Sequence, residues 1–233
     1  MPAWIWEKQL EHFSKDFTVA AIDLRSQGDS GQSTEGHYAF SMAKDIRAVV
    51  DALDLQPLVV IGWSLGVPQV VNFTAHLAPR KLVGLVLVDG ILGVDPALSF
   101  YQSIIDQWVQ FQMDRIPHTR KFIESIFKQP KTQEYLDRLF EAAMRTPTNT
   151  VMTSIFNYIL QDFRSLLPNI KTPTWIATVD GPRLDYMQKM QHSMPNCRLE
   201  IFKSAGHALF VDQAEQFNRS LTLFLEDLQN SVG

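Results

Sequence analysis

A serine stands between two glycines in residues 62–66, Gly-Trp-Ser-Leu-Gly, directly after an apolar β-branched run and directly before a helical pattern. Turning the chain from a strand into a helix over so few residues strains the backbone of Ser64 and brings neighbouring backbones close together. Glycines on both sides of the serine relieve that crowding. The hydroxyl then projects above the sheet at the start of a helix, whose dipole favours developing negative charge. This pattern predicts a nucleophilic Ser64 rather than a tight turn with an inert serine.

A nucleophilic serine needs a general base, and His207 has the position for it among the six histidines. It follows the last predicted strand and precedes the last predicted helix, so its loop lies at the same carboxyl edge of the sheet as Ser64. The other histidines fall within predicted helices or in loops that no strand directs to this edge: His12, His37, His76, His118 and His192. His207 is therefore the predicted base.

Strand-like and helix-like segments alternate along the chain, and they set the positions of Ser64 and His207. Short apolar, β-branched runs predict strands at residues 18–22, 58–61, 82–88, 174–179 and 198–202. Apolar residues at helical spacing predict helices over residues 4–13, 41–53, 65–77 and 213–228. Strands separated by helices in crossover order are typical of a parallel sheet that is covered by helices.

Residues 96–167 interrupt this alternation, because they contain helical patterns and many aromatic residues but no strand pattern. Ordinary helix packing accounts for most of these aromatic side chains. The functional interpretation is an inserted helical cap whose inner face lines an apolar pocket. Residues 1–95 and 168–233 then form the core. The candidate substrate-contacting side chains are Trp63, Trp108 and Phe111.

Composition excludes several other classes of protein. The 233-residue chain is 45% hydrophobic and 20% charged, which is typical of one soluble domain large enough to bury a core. A net charge of −4 without blocks of like charge argues against nucleic-acid binding and against attachment to an anionic membrane. The single cysteine, Cys197, excludes an internal disulfide and a metal site with several thiolates. The sequence has no signal-peptide pattern and no membrane-spanning run, so we expect a cytoplasmic protein that acts on a small molecule.

The sequence resembles the α/β-hydrolase superfamily along nearly its whole length. Residues 62–66 are similar to the nucleophile elbow of that family, and residues 206–207 are similar to its catalytic-histidine loop. Further similar segments are residues 23–30, 85–89 and 170–174, which resemble the loop after the fourth strand, the sixth strand and the entry to the seventh. The resemblance implies an α/β fold with a mostly parallel, doubly wound sheet and an inserted helical cap.

The resemblance also implies roles for individual residues. Ser64 corresponds to the nucleophile, His207 to the general base, and the Leu65 amide to one donor of the oxyanion hole. It implies no cofactor and no metal.

The resemblance leaves more than one candidate for the acid that orients the histidine. The family usually carries this acid a few residues beyond the seventh strand, and Asp180 is our predicted acid on that ground. Asp185 lies nearby, at the start of the next predicted helix. Some members carry the acid after the sixth strand instead, which makes Asp89 the alternative.

The sequence departs from the family at its start, because it begins within what resembles the family's first helix. About three strands, on the order of 25–35 residues, are therefore expected to be absent. The third family strand lies between the fourth and the fifth, and the loop after it supplies the second oxyanion donor. We expect either a fragment of a longer chain or a sheet that pairs across this position.

Three functions are compatible with these residues. The first is a serine hydrolase that cleaves a small or medium acyl ester through an acyl-enzyme on Ser64. The second is a cofactor-free dioxygenase of the same fold, in which His207 and Asp89 deprotonate a heteroaromatic substrate. The third is a catalytically silent member of the fold that binds a ligand or partner.

Overall fold

Four parallel strands form the sheet at the centre of the molecule. The computed structural model describes residues 1–94 and 101–230, and its strands are β1 (Leu58–Trp63), β2 (Leu82–Val88), β3 (Thr174–Val179) and β4 (Cys197–Phe202). They are hydrogen-bonded in the order β1-β2-β3-β4, and every pair is parallel. The carboxyl ends of all four strands therefore meet at one edge of the sheet, where the loops that follow them are brought together.

Helices cover both faces of this sheet. They are α1 (Glu7–Phe13), α2 (Ala39–Ala52), α3 (Gly66–His76), α8 (Leu184–His192), α9 (Leu209–Asp212) and α10 (Ala214–Asn230). A 3-10 turn over Ala3–Trp6 precedes α1. Strand β2 is apolar and almost completely buried because helices pack on both of its sides. Close packing is required at Gly84, where an added Cβ would lie 2.6 Å from Leu228 Cδ1 of α10.

The core divides into two layers, one on each face of the sheet. The layer that we call the α2 face contains Ala43, Ile46, Val50, Val67, Val70, Phe73, Met187 and Met190, packed on Val60, Leu85, Leu87 and Ile176. The layer that we call the α10 face contains Phe13, Phe210, Phe217, Leu221 and Phe224, packed on Val86, Val88, Trp175 and Phe202. This arrangement confirms the predicted α/β class with helices on both faces of a parallel sheet.

A helical segment separates β2 from β3. It consists of α4 (Tyr101–Met113), α5 (Arg115–Ser125), α6 (Gln133–Arg145), α7 (Thr148–Leu160) and a 3-10 turn over Arg164–Asn169. Within its described residues the backbone forms no strand, as the sequence predicts, apart from one bridge between Gly93 and Asp162. The exact division into core and cap stays a prediction, and residues 96–100 lie outside the described residues.

The strand predicted at residues 18–22 is wrong. This segment forms no regular secondary structure and is not part of the sheet, and within the described residues β1 is the end strand on that side. An apolar, β-branched run becomes a strand only when another strand accepts and donates its backbone hydrogen bonds. Here a cleft separates the segment from β1, so the pairing is not made.

The remaining differences concern element boundaries. The predicted first helix is a 3-10 turn followed by α1. The predicted last helix is α10, and the short α9, which was not predicted, precedes it. Strand β1 extends to Trp63, two residues beyond its predicted end. The described residues include no helix that is both long enough and apolar enough to cross a membrane.

Candidate active site

Ser64 lies at the turn between β1 and α3 with a strained backbone. Its φ is 55°, in the left-handed region that non-glycine residues rarely adopt. Two hydrogen bonds hold the Ser64 backbone in this conformation. The Ser64 N–H donates to the Val88 carbonyl at 3.0 Å, and the Ser64 carbonyl accepts from the Val67 N–H at 3.0 Å. Strain that the surrounding structure maintains in this way is typical of functional turns.

Of the two glycines that flank the Trp-Ser-Leu turn, only one lies where a side chain would not fit. A Cβ at Gly62 would lie 2.5 Å from Val70 Cγ2 and 2.7 Å from the Gly66 carbonyl oxygen, whereas a Cβ at Gly66 would meet nothing within 4 Å. The predicted crowding at Gly66 is therefore wrong. A third glycine, Gly90, is needed instead, because its Cβ would lie 2.4 Å from the Ser64 carbonyl oxygen. Sequence reasoning missed Gly90, which is the second residue after the end of β2.

His207 lies between the serine and a buried carboxylate. Its Nε2 is 2.9 Å from Ser64 Oγ, and its Nδ1 is 2.6 Å from Asp89 Oδ2. With Nδ1–H donating to the carboxylate, Nε2 carries the free electron pair that accepts the serine hydroxyl proton. The Trp63 indole N–H donates to the His207 carbonyl at 2.9 Å, which fixes the histidine loop to the end of β1.

Asp89 directly follows β2 and is completely buried. Its φ of 43° is also in the left-handed region, and its N–H donates to the Ala177 carbonyl at 2.9 Å. Oδ1 accepts from the Thr178 hydroxyl at 2.8 Å, and Oδ2 accepts from Arg183 Nη2 at 2.6 Å. Burial by itself raises the pKa of Asp89, but the hydrogen bond and charge of His207, together with Arg183 and Thr178, hold that pKa below its usual value. Asp89 is therefore ionised at neutral pH.

Burial also determines the state of the histidine. Loss of hydration lowers the pKa of His207, the hydrogen bond and charge of Asp89 raise it, and the positive charge of Arg183 lowers it again. The net pKa lies below the usual value for histidine. At neutral pH the imidazole is consequently uncharged, which is the form that can accept a proton.

Arg183 is a charged neighbour that sequence reasoning missed. Its Nη2 donates to Asp89 Oδ2 and also lies 3.1 Å from His207 Nδ1. Two donors, the guanidinium and the Nδ1–H, therefore converge on one carboxylate oxygen. The loop after β3 was expected to supply an acid to the histidine. It supplies the positively charged Arg183 side chain instead.

The predicted acid, Asp180, does not reach the histidine. It is exposed directly after β3 and has no hydrogen bond or ion pair with His207 within the described residues. Asp185 is not placed to orient His207 either. It forms an exposed ion pair with Lys189 at 2.7 Å in α8. The structure instead brings Asp89, the alternative, to His207.

Leu65 is the N-cap residue of α3 and directly follows Ser64. Its N–H precedes the first hydrogen bonds of the helix, where backbone amides have no helical acceptor. The Leu65 amide, which is the predicted oxyanion donor, therefore lies in a position typical of that role. The described residues contain no group of three or more His, Cys, Asp or Glu side chains that could hold a metal ion.

An open cleft of about 1320 Å³ reaches the serine. Its lining includes Ser64, Trp63, Arg183, His207, Phe111 and Tyr158. Two of the three predicted substrate-contacting residues, Trp63 and Phe111, line this cleft. Trp108 does not: it packs on α7, with its ring centroid 6.0 Å from that of Phe156 and its indole N–H 3.4 Å from the Met152 carbonyl. Trp108 was predicted to contact substrate because it is an aromatic residue of the cap, and that residue type does not distinguish the cleft side of α4 from its contact with α7.

Comparisons with known proteins agree with this architecture. A model of the alpha/beta hydrolase family matches residues 1–220. A putative non-heme chloroperoxidase of Synechocystis sp. is 26% identical over 246 residues, covering 95% of this chain and 86% of that protein. An esterase from Exiguobacterium antarcticum superposes with a TM-score of 0.86 at 19% identity, covering 97% of this chain and 88% of the esterase. A bromoperoxidase from Bacillus anthracis gives a TM-score of 0.89 at 21% identity over the same shares.

Proposed function

Because this chain belongs to the alpha/beta hydrolase family, we propose that it is a serine hydrolase that cleaves a small or medium acyl ester. One observation carries the proposal. Ser64 Oγ, the His207 imidazole and the Asp89 carboxylate form a continuous hydrogen-bonded chain, with distances of 2.9 and 2.6 Å. Serine, histidine and carboxylate in this order form the apparatus of acyl transfer on several unrelated folds.

The first half of the reaction forms an acyl-enzyme. Ser64 Oγ attacks the ester carbonyl carbon while His207 Nε2 takes the hydroxyl proton, and the carbonyl electron pair moves to its oxygen. The Leu65 N–H donates to that oxyanion. The intermediate then collapses, the bond to the alcohol oxygen breaks, and the imidazolium transfers its proton to the departing alcohol.

The second half releases the acid. A water molecule attacks the acyl carbon while His207 takes one of its protons, and the bond to Ser64 Oγ breaks as that proton passes to the serine. Asp89 stays ionised throughout and holds the Nδ1–H toward itself. It thereby keeps the tautomer in which Nε2 is the base, and it stabilises the imidazolium.

The cleft supports an apolar substrate of small to medium size. Trp63, Phe111 and Ile91 contribute apolar surface to its lining, and Arg183 contributes a charged group that contacts Asp89 and His207. A cavity with apolar walls and a few convergent polar groups is typical of small-molecule sites. The esterase-like reaction and the cytoplasmic location stay proposals.

Hydrolysis of p-nitrophenyl acetate, butyrate and octanoate tests this function. We expect turnover of at least one ester, and we expect Ser64→Ala and His207→Ala to lower kcat/KM by a factor on the order of 1000 or more. Asp185→Ala is the matched control, because this exposed carboxylate forms its ion pair with Lys189, one turn further along α8. Turnover that survives Ser64→Ala would contradict the acyl-enzyme.

A cofactor-free dioxygenase is the second candidate, and the identity of the acid favours it. The carboxylate bonded to His207 is Asp89, after β2, rather than an aspartate after β3. In this candidate His207 takes a proton from a hydroxylated heteroaromatic ring, and the resulting anion reacts with dioxygen. Oxygen consumption with a 3-hydroxy-4-quinolone, unchanged in Ser64→Ala and lost in His207→Ala, would distinguish this reaction from ester hydrolysis.

A further inference from the structure

Hydrogen bonds fix the backbone on both sides of His207. The Gly206 N–H donates to Asp212 Oδ2 at 2.8 Å, and the Ala208 N–H donates to the Ile126 carbonyl at 2.9 Å. Ile126 directly follows α5, so the second of these bonds comes from the helical segment between β2 and β3. The loop that carries the general base is therefore held by groups outside the serine–histidine–aspartate chain.

The turn between α5 and α6 lies against this loop. We call residues 126–129 the α5–α6 turn and residues 203–208 the histidine loop. Lys128 Nζ and Gln129 Nε2 donate to carbonyls of the histidine loop at 3.1 and 3.0 Å. A Cβ at Gly206 would lie 2.6 Å from a backbone carbonyl oxygen of the α5–α6 turn. The two backbones are thus in direct contact at this glycine, with no space for a side chain between them.

The Asp212 carboxylate joins the α5–α6 turn to the histidine loop, and its side chain is completely buried. Oδ2 accepts from the Gly206 N–H at 2.8 Å and from the Lys128 N–H at 2.6 Å, so a single oxygen binds one donor from each of the two segments. Oδ1 accepts from the Lys131 ammonium at 2.7 Å and from the Gln129 N–H at 3.3 Å. Hydrogen bonds with an ionised partner are roughly twice as strong as those between neutral groups. Asp212 is therefore the main link between the two segments.

Small displacements of His207 should affect the reaction strongly. Its Nε2 must stay within hydrogen-bond reach of Ser64 Oγ, and its Nδ1 must stay within reach of the Asp89 carboxylate. A shift of about 1 Å at such a group can lower the rate roughly 100-fold. The histidine loop belongs to no helix or strand, and loops of this kind are more mobile than the elements that they connect. The hydrogen bonds from outside the loop supply the restraint that the loop itself lacks.

We propose that Asp212 is a positioning residue for His207. It holds the α5–α6 turn against the histidine loop, and this contact keeps the imidazole in line with Ser64 and Asp89. The Asp212 carboxylate takes no proton from the substrate and contacts no reacting atom, because it does not line the cleft. The role rests on the proposed function, since it requires His207 to act as a base. It also couples the position of that base to the helical segment between β2 and β3.

The kinetics of p-nitrophenyl butyrate hydrolysis test the proposal. Asp212→Ala leaves the Gly206 and Lys128 N–H groups without their acceptor, so the two segments separate and His207 loses its position. We expect kcat to fall about 10- to 100-fold, with KM within about threefold of the wild type because Asp212 does not line the cleft. Asp212→Asn keeps one acceptor oxygen, so its kcat should lie between those of Asp212→Ala and the wild type.

Lys131→Met is the matched control. Lys131 forms an ion pair with Asp212, but it has no hydrogen bond to the histidine loop within the described residues and does not line the cleft. The substitution leaves a buried carboxylate without its cation, which lowers stability, while the three backbone N–H donors keep their acceptor. We expect a lower urea midpoint and a kcat within about twofold of the wild type. A difference in kcat between folded Asp212→Ala and folded Lys131→Met therefore separates positioning from stability.

Proton NMR of the His207 imidazole gives a readout that does not depend on hydrolysis. The Nδ1–H that donates to Asp89 should give a resolved, strongly deshielded resonance in the wild type and in Lys131→Met. That resonance should broaden or vanish in Asp212→Ala. If Asp212→Ala fails to fold, Gly206→Ala replaces it, because the added Cβ pushes the two segments apart and leaves the carboxylate intact.

Two results would overturn the proposal. One is a folded Asp212→Ala variant with the kcat and the imidazole resonance of the wild type. The other is an equal fall of kcat in Lys131→Met, because stability alone would then explain both variants. If the wild type hydrolyses no ester, the proposed function is wrong, and the resonance in Asp212→Ala still decides whether Asp212 positions the imidazole.

Discussion

Removal of the Arg183 charge should change the pH dependence of the reaction. The guanidinium Nη2 lies 3.1 Å from His207 Nδ1, and its positive charge opposes formation of the imidazolium. Arg183→Gln removes that charge and therefore raises the pKa of His207. Because the neutral imidazole is the active base, activity is lost as the pH falls through this pKa, and the variant should lose activity at a higher pH than the wild type.

Coulomb's law gives the magnitude of this change. Two unit charges 3.1 Å apart interact by about 1.3 kcal/mol in the dielectric of bulk water, which corresponds to about one pH unit. The Arg183 side chain is 30% exposed and Asp89 is completely buried, so the local dielectric is below that of water. We therefore expect the acid limb of kcat/KM to shift by about one pH unit.

The assay is the pH profile of kcat/KM for ester hydrolysis between about pH 4 and 9, a range that spans the usual histidine pKa. Arg183→Lys is the matched control, because it keeps a positive charge and should leave the acid limb within a few tenths of a pH unit of the wild type. An acid limb that stays in place in Arg183→Gln, or that moves to lower pH, would refute the electrostatic role of Arg183. Loss of activity at every pH would show that Arg183 acts by positioning Asp89.

Two further predictions concern stability. Gly62→Ala should destabilise the fold by about 1–3 kcal/mol in urea unfolding, because the added Cβ meets the Gly66 backbone and the Val70 side chain. Gly66→Ala should change the free energy of unfolding by less than about 1 kcal/mol, because its Cβ meets nothing. Equal effects of the two substitutions would contradict this account of the packing at the turn. Asp212→Asn should cost about 3 kcal/mol, because this completely buried carboxylate accepts from the Lys131 ammonium and from the Gly206 N–H. An unchanged urea midpoint in Asp212→Asn would show that these bonds contribute nothing.

The parts of the site that could be predicted are those that a local pattern determines. Ser64 lies in a turn whose residue types are dictated by its backbone, and His207 lies in the loop that joins the last strand to the last helix. Neither position depends on the length of another loop. The parallel sheet followed in the same way from apolar runs separated by helices.

The parts that could not be predicted depend on tertiary neighbours. The sequence places Asp180 and Asp89 after adjacent strands, and only the left-handed backbone at Asp89 and its bonds to Thr178 and Arg183 decide between them. Residues 18–22 have the composition of a strand, but strand formation requires a partner strand, and none pairs with them among the described residues. Arg183 gave no signal, since a polar loop residue is usually solvated.

Covalent labelling with a fluorophosphonate tests the central claim, that Ser64, His207 and Asp89 act as one nucleophilic unit. The site of modification is mapped by mass spectrometry in the wild type, His207→Ala, Asp89→Asn and Asp180→Asn, each shown to be folded by circular dichroism. We predict stoichiometric label on Ser64 in the wild type and in Asp180→Asn, no label in His207→Ala, and strongly slowed labelling in Asp89→Asn. A folded wild-type chain without label, or a label that depends on Asp180 rather than Asp89, would contradict the claim.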